Sequence, residues 1–345
     1  MNAPFKIDLW DVGTFPSRRE EDWKYTDVAR VLKGPVALAP EAAVASPGPF
    51  SELDPEGFVF ANGRAWDGSN QATYVTNGGV PDVIRFVTRA DASGWQASVG
   101  LTVKAGQSAT LLESYEGQGN GYVAYVPMRI VVEAGASLER IVIADDAAEG
   151  VTLSVAEVRI EERAKFHQTV LTSGARLQRF ETHVRHPGAN AEVRLDGIYL
   201  LRDGRHSDQT TVVTHAGTDG VTVQLTKGVV RDQARGVFQG RIVVEEGADR
   251  TDARMGHHAL ILSDRAEVDA KPELEIYADD VACAHGNTVG ALDEDALFYA
   301  RQRGMPEAEA RALLTEAFIG EVIDRIEHDG AREVVRAWAA ERLRA

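Results

Sequence analysis

The sequence of 345 residues contains a single cysteine, Cys283. An intrachain disulfide is therefore excluded, and so is a metal centre held by several thiolates of this chain alone. Basic residues are also in the minority, with 37 Lys and Arg against 53 Asp and Glu, which gives a formal net charge of −16. Because a surface of that charge repels phosphate backbones, we expect no nucleic-acid partner.

Targeting signals and long apolar runs are missing as well. The first residues hold no basic stretch followed by an apolar one, and no run of 18 or more uncharged apolar residues occurs. Hydrophobic residues make up 44% of the chain and charged residues 26%, a composition that excludes collagen-like and wholly disordered proteins. We expect a cytoplasmic protein with no membrane span.

Several motifs of catalytic and nucleotide-binding proteins are absent. The dipeptide Gly-Lys does not occur, so the chain has no P-loop for nucleotide phosphates. The patterns His-Glu-x-x-His, Gly-x-Ser-x-Gly and Cys-x-x-Cys are missing too. We therefore expect no nucleotide to bind to this chain itself.

The N-terminal segment, residues 1–83, is predicted to be a helical region followed by a linker. Residues 1 to about 32 have a helical pattern, in which Ser17 and Glu20 have the spacing of a capping box. Five of the twelve prolines then fall within 21 positions, a density that excludes helices and central strands. These prolines are Pro35, Pro40, Pro47, Pro49 and Pro55.

The middle segment, residues 84–286, consists of short alternating runs rich in Val, Ile, Leu and Thr, each followed by a small turn. Turns fall at positions 106, 135 and 164, two steps of 29, and the spacing then loosens to about 24. Such strand–turn repeats favour a β-solenoid, and hence a mainly β fold. A jelly roll is the alternative, because unrelated hairpins can give a similar spacing.

The C-terminal segment, residues 287–345, is predicted to be helical. Asp293 caps a helix that ends at Gly304, Pro306 opens a second helix, and Gly330 precedes a third. Apolar residues of the second helix follow helical spacing: Ala310, Leu313, Leu314, Ala317, Phe318, Val322 and Ile326. These helices either cap the end of the solenoid or dock a partner, and the residues alone leave both open.

The histidines and paired carboxylates do not favour a site. His183 and His186 are three apart on a predicted strand and point to opposite faces, and the neighbours His257 and His258 also diverge. The others that we considered are isolated: His167, His206 and His215. Two acidic pairs could suggest a glycosidase, but adjacent strand residues face opposite ways, so acidic turns explain them better. The pairs are Asp145-Asp146 and Asp279-Asp280.

Cys283 and His285 form the remaining candidate site. They are two residues apart at the end of an extended run, so both side chains leave the same face, roughly 7 Å apart along the strand. A thiolate and an imidazole so placed can both reach one metal atom or one sulfur species. The competing interpretation is that Cys283 is a small buried hydrophobe, which is the usual role of a lone cysteine.

The residues around this pair resemble a known family. The stretch Asp269–Gly286, DAKPELEIYADDVACAHG, together with its continuation to Gly304, is similar to the signature of the SufB/SufD family of iron–sulfur cluster assembly proteins. Glu21–Asp27, EDWKYTD, and Asp196–Leu200, DGIYL, resemble the same family. The Cys-x-His-Gly form and the chain length favour its SufD branch.

This resemblance implies a right-handed parallel β-helix between N-terminal and C-terminal helical regions. It implies a complex with a SufB-like paralogue and two copies of a SufC-like ABC-type ATPase, which the C-terminal helices contact. Cys283 and His285 would lie at the paralogue interface, where a transient iron–sulfur cluster forms and is shared with the partner. His285 is the stronger candidate ligand, and the cysteine is auxiliary. The resemblance leaves a homodimer of the isolated chain open, and no residue argues for a bound flavin.

Two positions depart from the family pattern. Residues 251–258 lack the Gln-rich, Asn-containing form expected there, and Asn287 stands where alanine is more common. We expect a non-catalytic scaffold subunit that receives its sulfur indirectly from a cysteine desulfurase system. The alternative is a stand-alone β-solenoid enzyme that acts on polysaccharide.

Overall fold

The computed structural model describes residues 6–44, 46–76 and 78–344. Within these residues the chain forms eighteen strands and four α-helices. The helices are α1 (Val28–Leu32), α2 (Glu294–Gln302), α3 (Glu307–Ile323) and α4 (Asp329–Arg344). The strands are β1 (Phe58–Ala61), β2 (Gln71–Thr76), β3 (Asp82–Arg89), β4 (Gly94–Gln96), β5 (Ser98–Val103), β6 (Ser108–Gln118), β7 (Val123–Val132), β8 (Ser137–Asp145), β9 (Val151–Ile160), β10 (Lys165–Thr172), β11 (Leu177–His186), β12 (Glu192–Leu201), β13 (His206–His215), β14 (Val221–Val230), β15 (Arg235–Val244), β16 (Asp252–Ile261), β17 (Glu267–Ile276) and β18 (Ala282–Gly290).

The strands divide between two sheets that the chain visits in alternation. Sheet 1 has the order β1-β3-β6-β8-β10-β12-β14-β16-β18, and sheet 2 runs β2-β5-β7-β9-β11-β13-β15-β17, with β4 also beside β7. The neighbouring strands are parallel, as in the pairs β10 with β12 and β11 with β13. A jelly roll is built from antiparallel strands, so the prediction of a β-solenoid is confirmed.

The repeat length of the solenoid stays nearly constant along the chain. Ser108 pairs with Ser137, 29 residues on, and Ser137 pairs with Lys165, 28 residues on. Later in the chain Val221 pairs with Asp252, a step of 31. The predicted loosening to about 24 is therefore wrong, because the ladder follows the paired strands whereas the turn residues shift their place within each repeat.

The first part of the chain differs from its helical prediction. Residues 6–32 contain two three-residue 3-10 turns and the five-residue helix α1, and the Ser17–Glu20 capping contact precedes one of those turns. Pro16 and Gly13 interrupt any longer helix. Strands begin at Phe58, inside the segment predicted as linker, and the last one ends at Gly290.

The space between the two sheets is filled by side chains that alternate with outward-facing ones. Its N-terminal part holds an aromatic stack that includes Phe60, Phe86 and Tyr115, with ring centroids 4.8–5.4 Å apart. Further along, buried polar groups pair inside it: Arg140 donates to the Glu113 carboxylate at 2.6 and 2.8 Å. A buried charge pair of this kind requires both partners, because either one alone would be an uncompensated charge.

Other segments cover the outer faces of both sheets. The N-terminal segment lays Leu9, Trp23 and Val28 on sheet 2, whereas α3 and α4 pack Ile319 and Trp338 on sheet 1. The C-terminal helices therefore cover a side of the solenoid and do not cap its end. No described helix has both the length and the apolar character that crossing a membrane requires.

The predicted C-terminal helices form with small differences. Asp293 caps α2 by accepting from the backbone N–H groups of Asp295 and Ala296, and Gly304 follows with a φ of 90°. In α3 the predicted apolar face is only partly correct, because Leu313 is 50% exposed and Ala317 is also exposed. The buried positions are Ala310, Thr315, Ile319, Val322 and Ile323. The third helix starts at Asp329, so Gly330 lies inside it.

Candidate functional site

The last turn of the solenoid ends in two open strand edges. β18 pairs with β16 on one side and β17 pairs with β15, and both are terminal strands of their sheets among the described residues. Residues of β18 are exposed along nearly its whole length. An unpaired parallel edge presents a row of backbone N–H and C=O groups, which is a template for pairing with another chain.

Cys283 and His285 lie on β18, on one face of it. Cys283 pairs in register with Ala253, and His285 pairs with Met255. Both of these neighbours are buried, at 0% and 3% exposure, so they belong to the face that points between the sheets. The two candidate residues continue that inward-facing column onto the open end, as their i, i+2 spacing predicts.

The two side chains have different surroundings. Cys283 is half-buried against the apolar cluster that includes Phe238, Ile242 and Met255, and burial raises the pKa of its thiol. His285 is exposed. A thiol with a raised pKa stays protonated at neutral pH and is a weak nucleophile until a metal or a base removes its proton. The exposed imidazole is the readier donor of the pair.

These two residues do not complete a metal site on their own. Within the described residues no group of three or more His, Cys, Asp and Glu side chains is arranged to hold a metal ion. The pair provides one sulfur and one nitrogen donor at an open edge. Whatever binds there needs further ligands from outside this set.

A hydrogen-bonded column lies beside the pair, one register position further along the strand. His257 Nδ1 is 2.7 Å from the Asn287 side-chain oxygen, and His257 Nε2 is 2.8 Å from the Tyr199 hydroxyl. The His257 ring also stacks on Phe238, with centroids 4.7 Å apart. Burial lowers the pKa of His257 to about 4, so the ring is neutral. Its Nδ1–H donates to Asn287, and its Nε2 accepts from Tyr199.

Sequence reasoning missed this column. The prediction that His257 and His258 diverge is confirmed, since His258 contacts Thr288 on the outer face while His257 is buried. Asn287, a departure from the family pattern, turns out to be the partner of His257. The signal was available: residues 257 and 287 are 30 apart, which is one repeat of the solenoid.

The EDWKYTD segment is a fastening on the outer face of sheet 2. Trp23 lies on the Arg179 guanidinium, 4.0 Å from the ring centroid, and the Thr26 hydroxyl donates to Asp208. Asp22 pairs with Arg241 at 2.7 Å, and Glu21 pairs with Lys271 of β17 at 2.6 Å. The segment therefore holds the last strands of sheet 2 and takes part in no site of its own.

Asp196 of the DGIYL segment has a similar structural place on sheet 1. Its carboxylate is 3.0 Å from Arg325 Nε and 3.4 Å from Arg194 Nε. Burial raises the pKa of Asp196 to about 7 despite these two guanidinium groups. Gly197 is required because a Cβ there would lie 2.1 Å from the Gln209 side-chain oxygen.

The other sequence candidates do not form sites. Asp145 pairs with Arg342, whereas buried Asp146 accepts from Tyr122 and Gln178, each at 2.5 Å, so the two carboxylates face different surroundings. Asp279 and Asp280 are exposed in a bend. His186 and His215 were predicted to be unrelated, but they are neighbours in register, with ring centroids 4.0 Å apart.

The remaining predicted histidines also have local partners. His167 contacts Glu327 at 2.8 Å, His183 contacts Glu181 at 2.5 Å, and His206 contacts Thr26 at 3.2 Å. Each of these contacts ties the solenoid to a neighbouring strand position or to a covering segment.

Known proteins resemble this chain over most of its length. A family model described as SUF system FeS cluster assembly, SufBD core domain, matches residues 86–318. The iron-sulfur cluster assembly protein SufD of Escherichia coli is 28% identical over 379 residues, covering 95% of this chain and 89% of that protein. An iron-sulfur cluster assembly SufBD family protein of Mycobacterium tuberculosis is 30% identical over 362 residues, covering 97% and 90%. SufD of Bacillus subtilis is 33% identical over 148 residues, which cover 39% of this chain and 34% of that protein.

Proposed function

The chain belongs to the SufBD family of the SUF system of iron–sulfur cluster assembly, and we propose that it is a non-catalytic scaffold subunit of a SufBCD-type complex. The observation that carries the proposal is the open strand β18, which presents His285 and Cys283 at an unpaired edge. A chain that is complete in itself gains nothing from such an edge, because exposed edges favour aggregation unless another chain covers them.

The expected partner at this edge is a SufB-like paralogue. β17 and β18 both end the solenoid, so a second solenoid could extend both sheets by strand pairing. A second copy of this chain could cover the edge when the paralogue is absent. Ion pairs between Lys271 and the N-terminal segment brace β17 from its outer side, which supports a preformed edge.

The expected partner at the C-terminal helices is a SufC-like ATPase. Phe298 and Tyr299 of α2 are 62% and 61% exposed, and Leu313 of α3 is 50% exposed. Large exposed apolar side chains of this kind mark sites of protein association. Since the chain has no P-loop, hydrolysis of ATP would occur on the partner, and its motion would reach the solenoid through α3 and α4, which pack on sheet 1.

The nascent cluster is the cargo of this edge. His285 would donate one ligand, and Cys283 a second one after losing its proton, while the paralogue supplies the others. The raised pKa of the Cys283 thiol supports His285 as the principal ligand of this chain. Sulfur would come indirectly from a cysteine desulfurase system.

A polysaccharide hydrolase has no support. Such an enzyme needs two carboxyl groups on either side of one bond, and Asp145 is bound to Arg342 while Asp146 is buried among hydrogen-bond donors.

Co-purification tests the scaffold function. The tagged chain, expressed with its genomic neighbours, is expected to recover both an ABC-type ATPase and a homologous solenoid chain. If neither is recovered, the scaffold proposal fails.

A pair of variants tests the site itself. His285→Ala is expected to preserve the complex and to reduce the activity of iron–sulfur enzymes in cells. His258→Ala is the matched control, because this imidazole lies on the neighbouring strand and faces outward. Equal enzyme activity in the two variants would remove His285 from the site.

A further inference from the structure

A cavity of about 120 Å³ lies between the outer face of sheet 1 and the last turn of α4. Its walls are Leu200, Leu201 and Val229 of the sheet and Leu343 of the helix, and four arginines surround it. A single buried water needs roughly 10–15 Å³ on a comparable measure, so the cavity has room for a group of several oxygen atoms. The arginines are Arg202, Arg205, Arg231 and Arg342.

The charges around this cavity do not balance. Four arginines face two carboxylates, those of Asp145 and Glu341, which leaves 4 − 2 = 2 positive charges. Both carboxylates are engaged by Arg342, whose guanidinium contacts Asp145 and lies 3.2 Å from Glu341. In a chain of net charge −16, a local excess of positive charge in a partly apolar cavity is unusual.

The other three arginines have mostly neutral partners. Arg205 Nη1 donates to the carbonyls of Asp146 and Gly174, at 2.9 and 2.7 Å, and Arg231 Nη2 donates to the Leu343 carbonyl at 3.1 Å. Carbonyl groups accept these hydrogen bonds but carry no net charge. Arg205 Nε is buried and has no hydrogen-bond partner in the described part of the chain. Arg202 has a longer contact, 3.7 Å to the exposed Asp203.

Arg202 and Arg231 also repeat one another along the solenoid. Leu201 pairs with Val230, so the residues that follow them occupy equivalent places in successive turns, where parallel strands lie roughly 4.8 Å apart. Two like charges at that spacing repel. An anion between them would remove the repulsion and accept from guanidinium groups whose planar geometry matches phosphate oxygens.

We propose that this cavity binds a phosphate group, either inorganic phosphate or a small phosphomonoester. The bound oxygens would accept from Arg205 Nε and from the free donors of Arg202 and Arg231, on the solenoid side. Arg342 lies on the other wall, at the end of α4. The phosphate would therefore bridge the C-terminal helix to the solenoid and fasten it there. This site is remote from the residues of β18 and does not depend on the proposed function.

Calorimetric titration of the full chain tests the proposal, with inorganic phosphate and with glycerol phosphate at an ionic strength held constant by potassium chloride. We expect saturable binding of at least one of them and a rise in the melting temperature at saturation. The probe that binds more tightly identifies the source of the phosphate. No saturable binding of either probe would overturn the proposal.

Arginine variants locate the site. Arg202→Gln and Arg231→Gln are each expected to weaken binding about tenfold, the loss of one charge-assisted hydrogen bond. Arg129→Gln is the matched control, because Arg129 is 79% exposed on sheet 2, and its affinity should equal that of the unmodified chain. Melting temperatures without phosphate show that each variant is folded. Unchanged affinity in both cavity variants would place the binding elsewhere and refute the assignment.

Discussion

The buried histidine pair gives the chain a pH-dependent stability that one substitution should alter by a calculable amount. His186 and His215 are fully buried with their rings in contact, and neither nitrogen of His186 has a hydrogen-bond partner within the described residues. Burial lowers the pKa of His186 to about 4 and that of His215 to about 2. In the unfolded chain both pKa values return to about 6.5.

The direction follows from these values. Between pH 6.5 and about 4 the unfolded chain binds a proton at His186 that the folded chain does not bind. The free energy of unfolding that depends on this group is therefore fully present above pH 6.5 and is lost as the pH falls. Each such proton contributes a slope of about 1.4 kcal/mol per pH unit. His206 and His257 add to the loss, since burial lowers their pKa values to about 4, whereas the raised pKa of Asp196 opposes it.

The perturbation is His186→Leu, which keeps an apolar side chain in the cavity and removes one titrating group. Urea unfolding at pH 7.0, 6.0, 5.5 and 5.0, followed by circular dichroism, gives the free energy of unfolding against pH. Below pH 6 the slope of the variant should be smaller than that of the unmodified chain by about 1.4 kcal/mol per pH unit. At pH 7 the variant should be no less stable, because two unsatisfied buried nitrogens are removed.

His258→Leu is the control for this experiment, because it removes an imidazole from the outer face of β16, and its slope should match that of the unmodified chain. Identical slopes for His186→Leu and the unmodified chain would refute the reasoning. They would mean that His186 already takes up its proton in the folded state.

Three further predictions concern the motifs and the edge. Trp23→Ala should lower the free energy of urea unfolding by about 3–5 kcal/mol, since Trp23 is 2% exposed; the same change at Trp10, which is 44% exposed, should cost much less. Gly197→Ala should cost about 1–3 kcal/mol through overpacking, while Gly286→Ala, where no atom lies within 4 Å of a new Cβ, should leave the melting temperature unchanged. Alkylation of Cys283 by iodoacetamide at pH 7 should be slower than that of free cysteine, because burial raises the pKa of the thiol; an equal or faster rate would contradict the half-buried placement.

Much of the fold was predictable because solenoid turns repeat in the sequence itself. The steps between positions 106, 135 and 164 anticipate the register in which Ser108, Ser137 and Lys165 pair. Asp293 and Gly304 likewise mark the ends of α2, since cap residues act locally. The face shared by Cys283 and His285 follows from strand alternation alone.

What the sequence did not predict depends on contacts between distant segments. The EDWKYTD segment has helical spacing, yet its side chains are fixed by Arg179 and Asp208, about 150 to 190 residues away in the chain. His186 and His215 appear isolated until the register of β11 and β13 is known. The exposure of Leu313 depends on which side of α3 meets sheet 1, and the helical period alone does not give that side.

The most direct test of the scaffold account is hydrogen exchange of the backbone amides in the chain alone and in its co-purified complex. The account predicts that protection increases along the open edge, in residues 267–276 and 282–290, as a paralogue pairs with β17 or β18. Peptides from β11 and β13 in the middle of the solenoid should not change. Equal exchange along β17 and β18 in the two states, with the complex intact, would contradict the claim that this edge is the paralogue interface.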